Sequence, residues 1–97
     1  MLENQVRVAQ IKQARRDLIA SLNMAYPGEL SFEAVCAIMP MSEAHYLQRD
    51  LQYFVDKGYV IWINQQPNAA WKGRRFRLTD KGVDVAIKVN VDPAMEP

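Results

Sequence analysis

The side chains that could carry out covalent or metal chemistry are few in this 97-residue chain, and their spacing favours neither. There is one histidine, His45, and one cysteine, Cys36. The sequence has no glycine-rich phosphate loop and no serine with a plausible base and orienting acid. A metal-sensing site would need several Cys, His or carboxylate ligands that converge. We therefore expect no enzyme, no metal site and no cofactor, and we expect Cys36 to be a buried thiol on an apolar stripe.

The positively charged side chains are more informative, because they are concentrated in two segments. The formal net charge is only +1, from 12 Lys+Arg and 11 Asp+Glu. Residues 5–16 carry four bases and no acid, residues 71–77 carry another four and no acid, and the rest of the chain has a balance of −7. Local fields decide where an anion binds. Both basic segments are therefore candidate anion-binding surfaces.

Length and composition predict how many domains the chain forms and in which compartment it folds. The length predicts one domain, which we place at residues 1–89, followed by a loose tail at residues 90–97. A hydrophobic fraction of 49% is enough for a small core. A single cysteine excludes an intrachain disulfide, no apolar run approaches the ~20 residues of a membrane span, and no signal-peptide core is present. We expect a cytoplasmic protein of a bacterium or a phage-infected host, with no membrane partner.

The first predicted helix runs from about residue 4 to residue 25. Its apolar residues recur at helical spacing, and a Tyr-Pro-Gly sequence ends it at residues 26–28. Arg7 and Arg15 lie within or beside the apolar face, so either their stems lie along it or they pair with acids across an interface. The apolar face is formed by Val8, Ile11, Ala14, Leu18, Ile19, Leu22 and Ala25.

Two shorter helices follow, separated by a three-residue turn. Ser31 is a suitable N-cap for the second helix, and Pro40 ends it. Ser42 is a suitable N-cap for a third helix that runs to about Lys57, with Gly58 in the position of a C-terminal cap. The resulting pattern is a helix-turn-helix.

After this point the hydrophobic period changes from that of a helix to that of a strand. Residues 59–63 are β-branched and aromatic, residues 64–73 are typical of a loop, and residues 74–78 alternate, which together predicts a β-hairpin. Thr79 is a suitable N-cap for a short last helix. Trp71 has three possible positions: exposed at the tip of the hairpin, an anchor for a partner, or folded back onto the sheet.

Two segments at the right separation give a resemblance to a known fold family. Residues 42–60, SEAHYLQRDLQYFVDKGYV, resemble the recognition helix of MarR-, PadR- and ArsR-like regulators, and residues 75–83, RFRLTDKGV, resemble their second wing strand. The segment LTDKGVDVA is also similar to small winged-helix proteins of Mu-like phages. The resemblance implies an α+β, mostly α, winged helix-turn-helix with a three-helix core, a two-stranded hairpin wing and a short C-terminal helix.

This resemblance implies a small transcriptional regulator that binds double-stranded DNA, and the polar residues fit that expectation. A recognition helix in the major groove needs donors on its outer face, while the wing needs bases for the phosphate backbone. Arg49 could read guanine and Gln52 adenine, whereas His45 could equally be a plain surface residue. The candidate DNA-binding residues are Ser42, His45, Tyr46, Arg49 and Gln52 of the third helix and Lys72, Arg74, Arg75 and Arg77 of the wing.

Acidic residues on the same helix favour an alternative. Glu43 and Asp50 are expected to point sideways, where phosphate walls of a groove would repel them. The strand at residues 59–63 is also apolar on both faces, so one face would be exposed to solvent unless a partner protein binds it. The alternative is a winged helix that serves as a protein-protein interaction module in a phage transcription or DNA-packaging assembly. For a DNA-binding regulator we expect a homodimer through helix 4–25, helix 79–89 or both, whereas a monomer that binds no DNA would favour the alternative.

Overall fold

A computed structural model describes residues 2–63, 71 and 73–96, in which seven elements follow one another. None of the described helices is both long and apolar enough to cross a membrane. The elements are α1 (Leu2–Ala25), β1 (Leu30–Ser31), α2 (Phe32–Ile38), α3 (Ala44–Lys57), β2 (Val60–Ile63), β3 (Arg75–Leu78) and α4 (Asp80–Ala86).

Local capping signals explain most of the element ends. The Ser31 hydroxyl accepts the Ala34 N–H at 3.1 Å, and the Thr79 hydroxyl accepts the Gly82 N–H at 3.1 Å, which confirms both predicted N-caps. Gly58 ends α3 with φ at 79°, in the left-handed region that glycine adopts without strain.

The predicted N-cap of α3 is wrong by one residue. The helix begins at Ala44, and Glu43 occupies the N-cap position without a side-chain hydrogen bond. The reason lies in the preceding turn, because the Ser42 N–H donates to the Met39 carbonyl at 3.1 Å and Ser42 is therefore still part of that turn.

The sheet has three antiparallel strands in the order β1-β3-β2. The predicted hairpin is confirmed, with Trp62 of β2 opposite Phe76 of β3. The two-residue strand β1 adds a third strand, which the sequence did not predict, at one edge of the sheet, and its Leu30 also lies opposite Phe76. The sheet thus ties the start of α2 to the second strand of the hairpin.

The core lies where the C-terminal half of α1 meets α3 and the sheet. Leu18, Leu51, Phe54 and Phe76 are all fully buried there. The apolar face of α1 is buried only from about Leu18 onward, since residues 2–10 are all exposed. The N-terminal half of α1 therefore leaves its apolar side chains in solvent.

The C-terminal segment, residues 90–96, is packed against the domain and is not the predicted loose tail. Met95 is 2% exposed, and the Asp92 carboxylate accepts the Tyr53 and Tyr59 hydroxyls, each at 2.6 Å. The Arg16 guanidinium donates to the Met95 carbonyl. These side chains anchor a segment that has no helical or strand periodicity, which is why hydrophobic pattern alone did not reveal it.

Candidate nucleic-acid interface

Helix α3 has one face in the core and one face in solvent. Leu47, Leu51 and Phe54 are buried, while His45 and Gln52 on the opposite side are exposed. This division follows the helical period of the apolar residues. The polar residues predicted to contact DNA are therefore available on the outer face of α3.

Asp50 does not point sideways from α3 as expected; it is buried, with a relative exposure of 1%. Its Oδ1 atom accepts the Nε–H of Arg15 at 3.0 Å and the Nε–H of Arg49 at 3.1 Å. The Arg15 guanidinium also lies over the Tyr53 ring, 4.1 Å from its centroid. A buried carboxylate is tolerated here because two guanidiniums and their hydrogen bonds offset its desolvation. Asp50 is consequently not a repulsive charge at the surface of α3.

Arg49 lies at the edge of this cluster, with its side chain 37% exposed. Besides the Nε–H bond, its Nη2 atom donates to Asp50 Oδ2 at 3.4 Å. Its guanidinium carbon lies 5.0 Å from the centroid of the Tyr46 ring, within the range of a cation–π contact. Arg49 is therefore held between a buried carboxylate and an aromatic ring, with part of the guanidinium in solvent.

The two exposed acids at the ends of α3 are each close to a polar neighbour. His45 Nδ1 lies 3.3 Å from Glu43 Oε2, and the Gln52 amide donates to Asp56 at 2.8 Å. Their charges remain at the surface, where water screens them. Ser42, the last predicted contact of this region, is half-buried in the turn before α3.

The wing, by which we mean β2, β3 and the segment between them, uses its arginines in different ways. Arg75 pairs with Glu29 at 3.1 Å and Arg77 is exposed, with no ion pair to any described residue. The Arg74 guanidinium lies against the indoles of both Trp62 and Trp71, at 4.0 and 4.8 Å from their ring centroids. Arg75 and Arg77 are thus surface bases, while Arg74 also stabilises the wing. Lys72, the fourth predicted wing contact, lies outside the described residues.

Trp71 is folded back onto the sheet, the third of its possible positions. Its ring lies 5.4 Å from that of Phe32, 5.3 Å from that of Trp62 and 5.9 Å from that of Phe76. Nearby, the Gly73 N–H donates to the Glu33 carboxylate at 2.8 Å. The described part of the wing is therefore fixed to α2 by an aromatic cluster and a backbone hydrogen bond.

The basic segment of α1 is divided between internal and surface roles. Arg15 and Arg16 bond to Asp50 and the C-terminal segment, so Arg15 pairs with an acid of its own chain. Arg7 instead lines an open cleft between α1 and the start of α3, together with Tyr46 and Arg49. The segment therefore adds fewer free charges to the surface than its composition indicates.

The groups that could have carried other chemistry have ordinary surroundings. Cys36 is half-buried, and burial, with a smaller contribution from the nearby Glu33 charge, raises the pKa of its thiol. A thiol with a raised pKa is a poor nucleophile at neutral pH. No group of three or more potential metal-binding side chains occurs among residues 2–63, 71 and 73–96.

The roles that sequence reasoning missed are those of three acids, which bind the wing or the arginines beside α3. Glu29 and Glu33 bind the wing, and Asp50 binds Arg15 and Arg49. One signal was present: Arg15 on the apolar face of α1 indicated an acidic partner, although not which one. The partners are 35 to 46 residues apart in sequence, except for Arg49 and its neighbour, so spacing gave no guide to them.

Comparison with known proteins identifies a solved structure with a similar fold. No protein-family model matches the sequence, and no curated protein matches it. Among solved structures, the chain is similar to Bacillus subtilis PadR in complex with operator DNA, with a TM-score of 0.57 and 16% sequence identity. The similarity covers 78% of this chain and 48% of that chain, so this chain spans about half the length of its neighbour.

Together with the order of elements, this similarity shows that the chain has the winged helix-turn-helix fold. The predicted fold class, α+β and mostly α, is confirmed. Helices α2 and α3 form the helix-turn-helix and β2 with β3 forms the wing, while β1 makes the sheet three-stranded.

Proposed function

We propose that this chain is a DNA-binding winged-helix protein, and specifically a small transcriptional regulator. Helix α3 lies in the major groove, where Arg49 contacts a base edge and His45, Tyr46 and Gln52 line the same face. Ser42, at the start of this region, contacts a phosphate. The wing contacts the phosphate backbone through Lys72, Arg74, Arg75 and Arg77.

The observation that carries the proposal is the outer face of α3. It is exposed, its side chains are hydrogen-bonding and aromatic, and the acid expected to repel DNA from it, Asp50, is buried between two arginines. A face of this kind on the second helix of a helix-turn-helix is what base readout in the major groove requires. The similar PadR structure is a complex with operator DNA, which supports the same assignment.

The test is binding to random-sequence duplexes of about 20 base pairs, a length that spans two turns of the groove. We expect binding that weakens with salt, because phosphate contacts release counterions. Arg75→Ala and Arg77→Ala should each lower affinity for all duplexes and reduce the slope of log affinity against log salt by about one. Arg49→Ala should instead relax the sequence preference, at a cost of about 1–3 kcal/mol for the preferred site.

Lys81→Ala is the matched control, because it removes one exposed positive charge that lies neither on α3, nor on the wing, nor in the two apolar groups considered for dimerisation below. It should change affinity less than either wing variant. Absence of binding to any duplex at low salt would contradict the proposed function.

The alternative, a protein-protein interaction module, is favoured by one observation. Ile61 on β2 is 39% exposed, so an apolar side chain of the central hairpin faces solvent. The acidic charge of α3, which also favoured this alternative, is smaller at the surface than expected because Asp50 is buried. A chain that binds no duplex, but captures a protein partner that Ile61→Ser releases, would favour the module over the regulator. A role in a phage assembly stays a prediction from the LTDKGVDVA segment.

We further propose that the functional form is a homodimer. Two groups of exposed apolar side chains support this, one on the N-terminal half of α1 and one after α4. The first group is Leu2, Val6 and Val8, with exposures of 74%, 49% and 48%, and the second is Ile87, Val89 and Val91, with 55%, 66% and 65%.

A further inference from the structure

The guanidinium of Arg49 is bound in a way that leaves donors for a second partner. Arginine has five N–H donors in one plane. The bonds from Nε and Nη2 to Asp50 use two of these, and Nη1 has no hydrogen-bond partner among the described residues. A bidentate contact with guanine O6 and N7 needs two donors. Arg49 can therefore bind Asp50 and a base edge at the same time.

Asp50 itself is buried and bound by a second arginine. It is 1% exposed, and Arg15 of α1 also donates to its Oδ1 atom, at 3.0 Å. Arg15 is in turn fixed over the Tyr53 ring. The acceptor that Arg49 meets is thus part of the core packing of α1 against α3.

From this geometry we propose that Asp50 is a positioning residue, which fixes the Arg49 guanidinium for contact with a base edge. The inference rests on the proposed function. A surface arginine loses rotamer entropy when it binds a base. The bonds to Asp50 and the Tyr46 ring fix the side chain before binding, so that less entropy remains to be lost. Two guanidiniums against one carboxylate also leave a net positive charge for the DNA.

The experiment separates positioning from stability by measuring sequence preference. A preferred duplex is selected from a random pool of about 20 base pairs with the unaltered chain, and Arg49→Ala identifies the base pair that Arg49 reads. The measured quantity is the ratio of affinities for the preferred duplex and for a duplex with that one pair changed.

We expect Asp50→Asn to lower this ratio about tenfold, which corresponds to about 1.4 kcal/mol. The slope of affinity against salt should not change, because no phosphate contact is lost. In the Arg49→Ala background, Asp50→Asn should leave the ratio unchanged, since the residue that it positions is absent.

Three further variants make the result specific. Asp56→Asn removes an exposed carboxylate from the same helix and should retain the ratio. Asp92→Asn disturbs the other buried carboxylate, and it should lower the unfolding temperature while retaining the ratio. If Asp50→Asn fails to fold, Asp50→Glu replaces it, because glutamate keeps the charge but moves the carboxylate by one methylene from the position at which it binds Arg49. This variant should lower the same ratio.

The proposal is overturned if Asp50→Asn retains the ratio, if it lowers the ratio equally in the Arg49→Ala background, or if Asp92→Asn lowers it as much. If Asp50→Glu is used instead, full retention of the ratio also overturns the proposal. If the unaltered chain binds DNA but the Asp50 variants do not lower the affinity ratio, only this inference is overturned. If the chain binds no duplex, the proposed function is overturned as well.

Discussion

Asp50 and Asp92 are both buried carboxylates, but different groups hold them. Guanidiniums surround Asp50, so its charge is paired, whereas Asp92 accepts two neutral phenol hydroxyls and the Ala94 N–H at 2.8 Å. Burial by itself raises the pKa of Asp92, but the hydrogen bonds from Tyr53, Tyr59 and Ala94 together outweigh it and lower the pKa. The carboxylate is therefore ionised at neutral pH and joins the C-terminal segment to α3 and the start of β2.

At the scale of single residues, Asp92→Asn should destabilise the fold. The amide retains one acceptor oxygen but loses the charge that strengthens both tyrosine hydrogen bonds, which costs about 1–3 kcal/mol. Denaturant unfolding at neutral pH measures this loss. Asp84→Asn, a half-buried acid of α4, is the control and should change the free energy of unfolding by less than about 0.5 kcal/mol. Equal losses in the two variants would contradict a special role for Asp92.

The same cluster predicts how stability changes with pH. The lowered pKa of Asp92 gives stability that is present above the unfolded value of 3.8 and is lost as pH falls through the folded pKa. Burial, and then the bond to Asp92, raise the pKa of Tyr59 to about 12, and the pKa of Tyr53 is raised for the same reasons. Stability from the hydroxyls is full below pH 10 and is lost as pH rises through these folded values. Asp92→Asn should flatten the acid side of the unfolding profile, and an unchanged profile would disprove this account.

Among the secondary structure elements, the contact between α4 and the end of α3 determines how the last helix is placed. The Thr79 hydroxyl accepts from Gly82 and also donates to the Gly58 carbonyl at 2.6 Å, while the Thr79 N–H donates to the Tyr59 carbonyl at 2.9 Å. Gly82 consequently lies directly on the backbone of Tyr59. A Cβ atom at position 82 would overlap the Tyr59 carbonyl oxygen and lie 2.9 Å from its carbon.

Gly82→Ala should therefore destabilise the fold by roughly 1–3 kcal/mol, because α4 must move away from a fixed carbonyl. Thermal unfolding measures the change. Gly58→Ala is the matched comparison: a Cβ there meets nothing within 4 Å, so its cost of about 1 kcal/mol comes from the positive φ alone. If Gly82→Ala is as stable as the unaltered chain, the close approach of α4 to Tyr59 is wrong.

The elements also show what sequence could predict. Ser31, Thr79 and Gly58 signal element ends through contacts within a few residues, and the structure confirms all three. Strand β1 has no such signal, because two residues have no periodicity and its partner strand begins 44 residues after its last residue. The burial of Asp50 and the packing of the C-terminal segment depend in the same way on distant partners. The polar face of α3 was predictable because its position follows from the apolar face, but the use of Arg74 inside the wing was not.

At the scale of the whole molecule, substitutions in the two exposed apolar groups test whether the chain forms the proposed dimer. The unaltered chain should be a dimer by light scattering. Val6→Glu should weaken association at least about tenfold if α1 forms the interface, and Ile87→Glu should do so if the end of α4 forms it, since a buried charge opposes association. Gln5→Glu and Asn90→Asp add the same charge at exposed polar positions beside them.

These two controls should leave the dimer intact. A chain that is monomeric at all concentrations, or one whose association neither glutamate variant weakens, would contradict dimerisation through these two surfaces.

The aromatic cluster of the wing has a spectroscopic consequence. The chain has two tryptophans, and both lie in this cluster with their rings 5.3 Å apart. Arg74 lies against both rings, and neither tryptophan is on α1, α3 or α4. Intrinsic tryptophan fluorescence should therefore report on the packing of the wing against α2, and not on the exposed N-terminal half of α1. When the wing separates from α2, the emission spectrum will change while the helical circular dichroism of the rest of the domain stays the same.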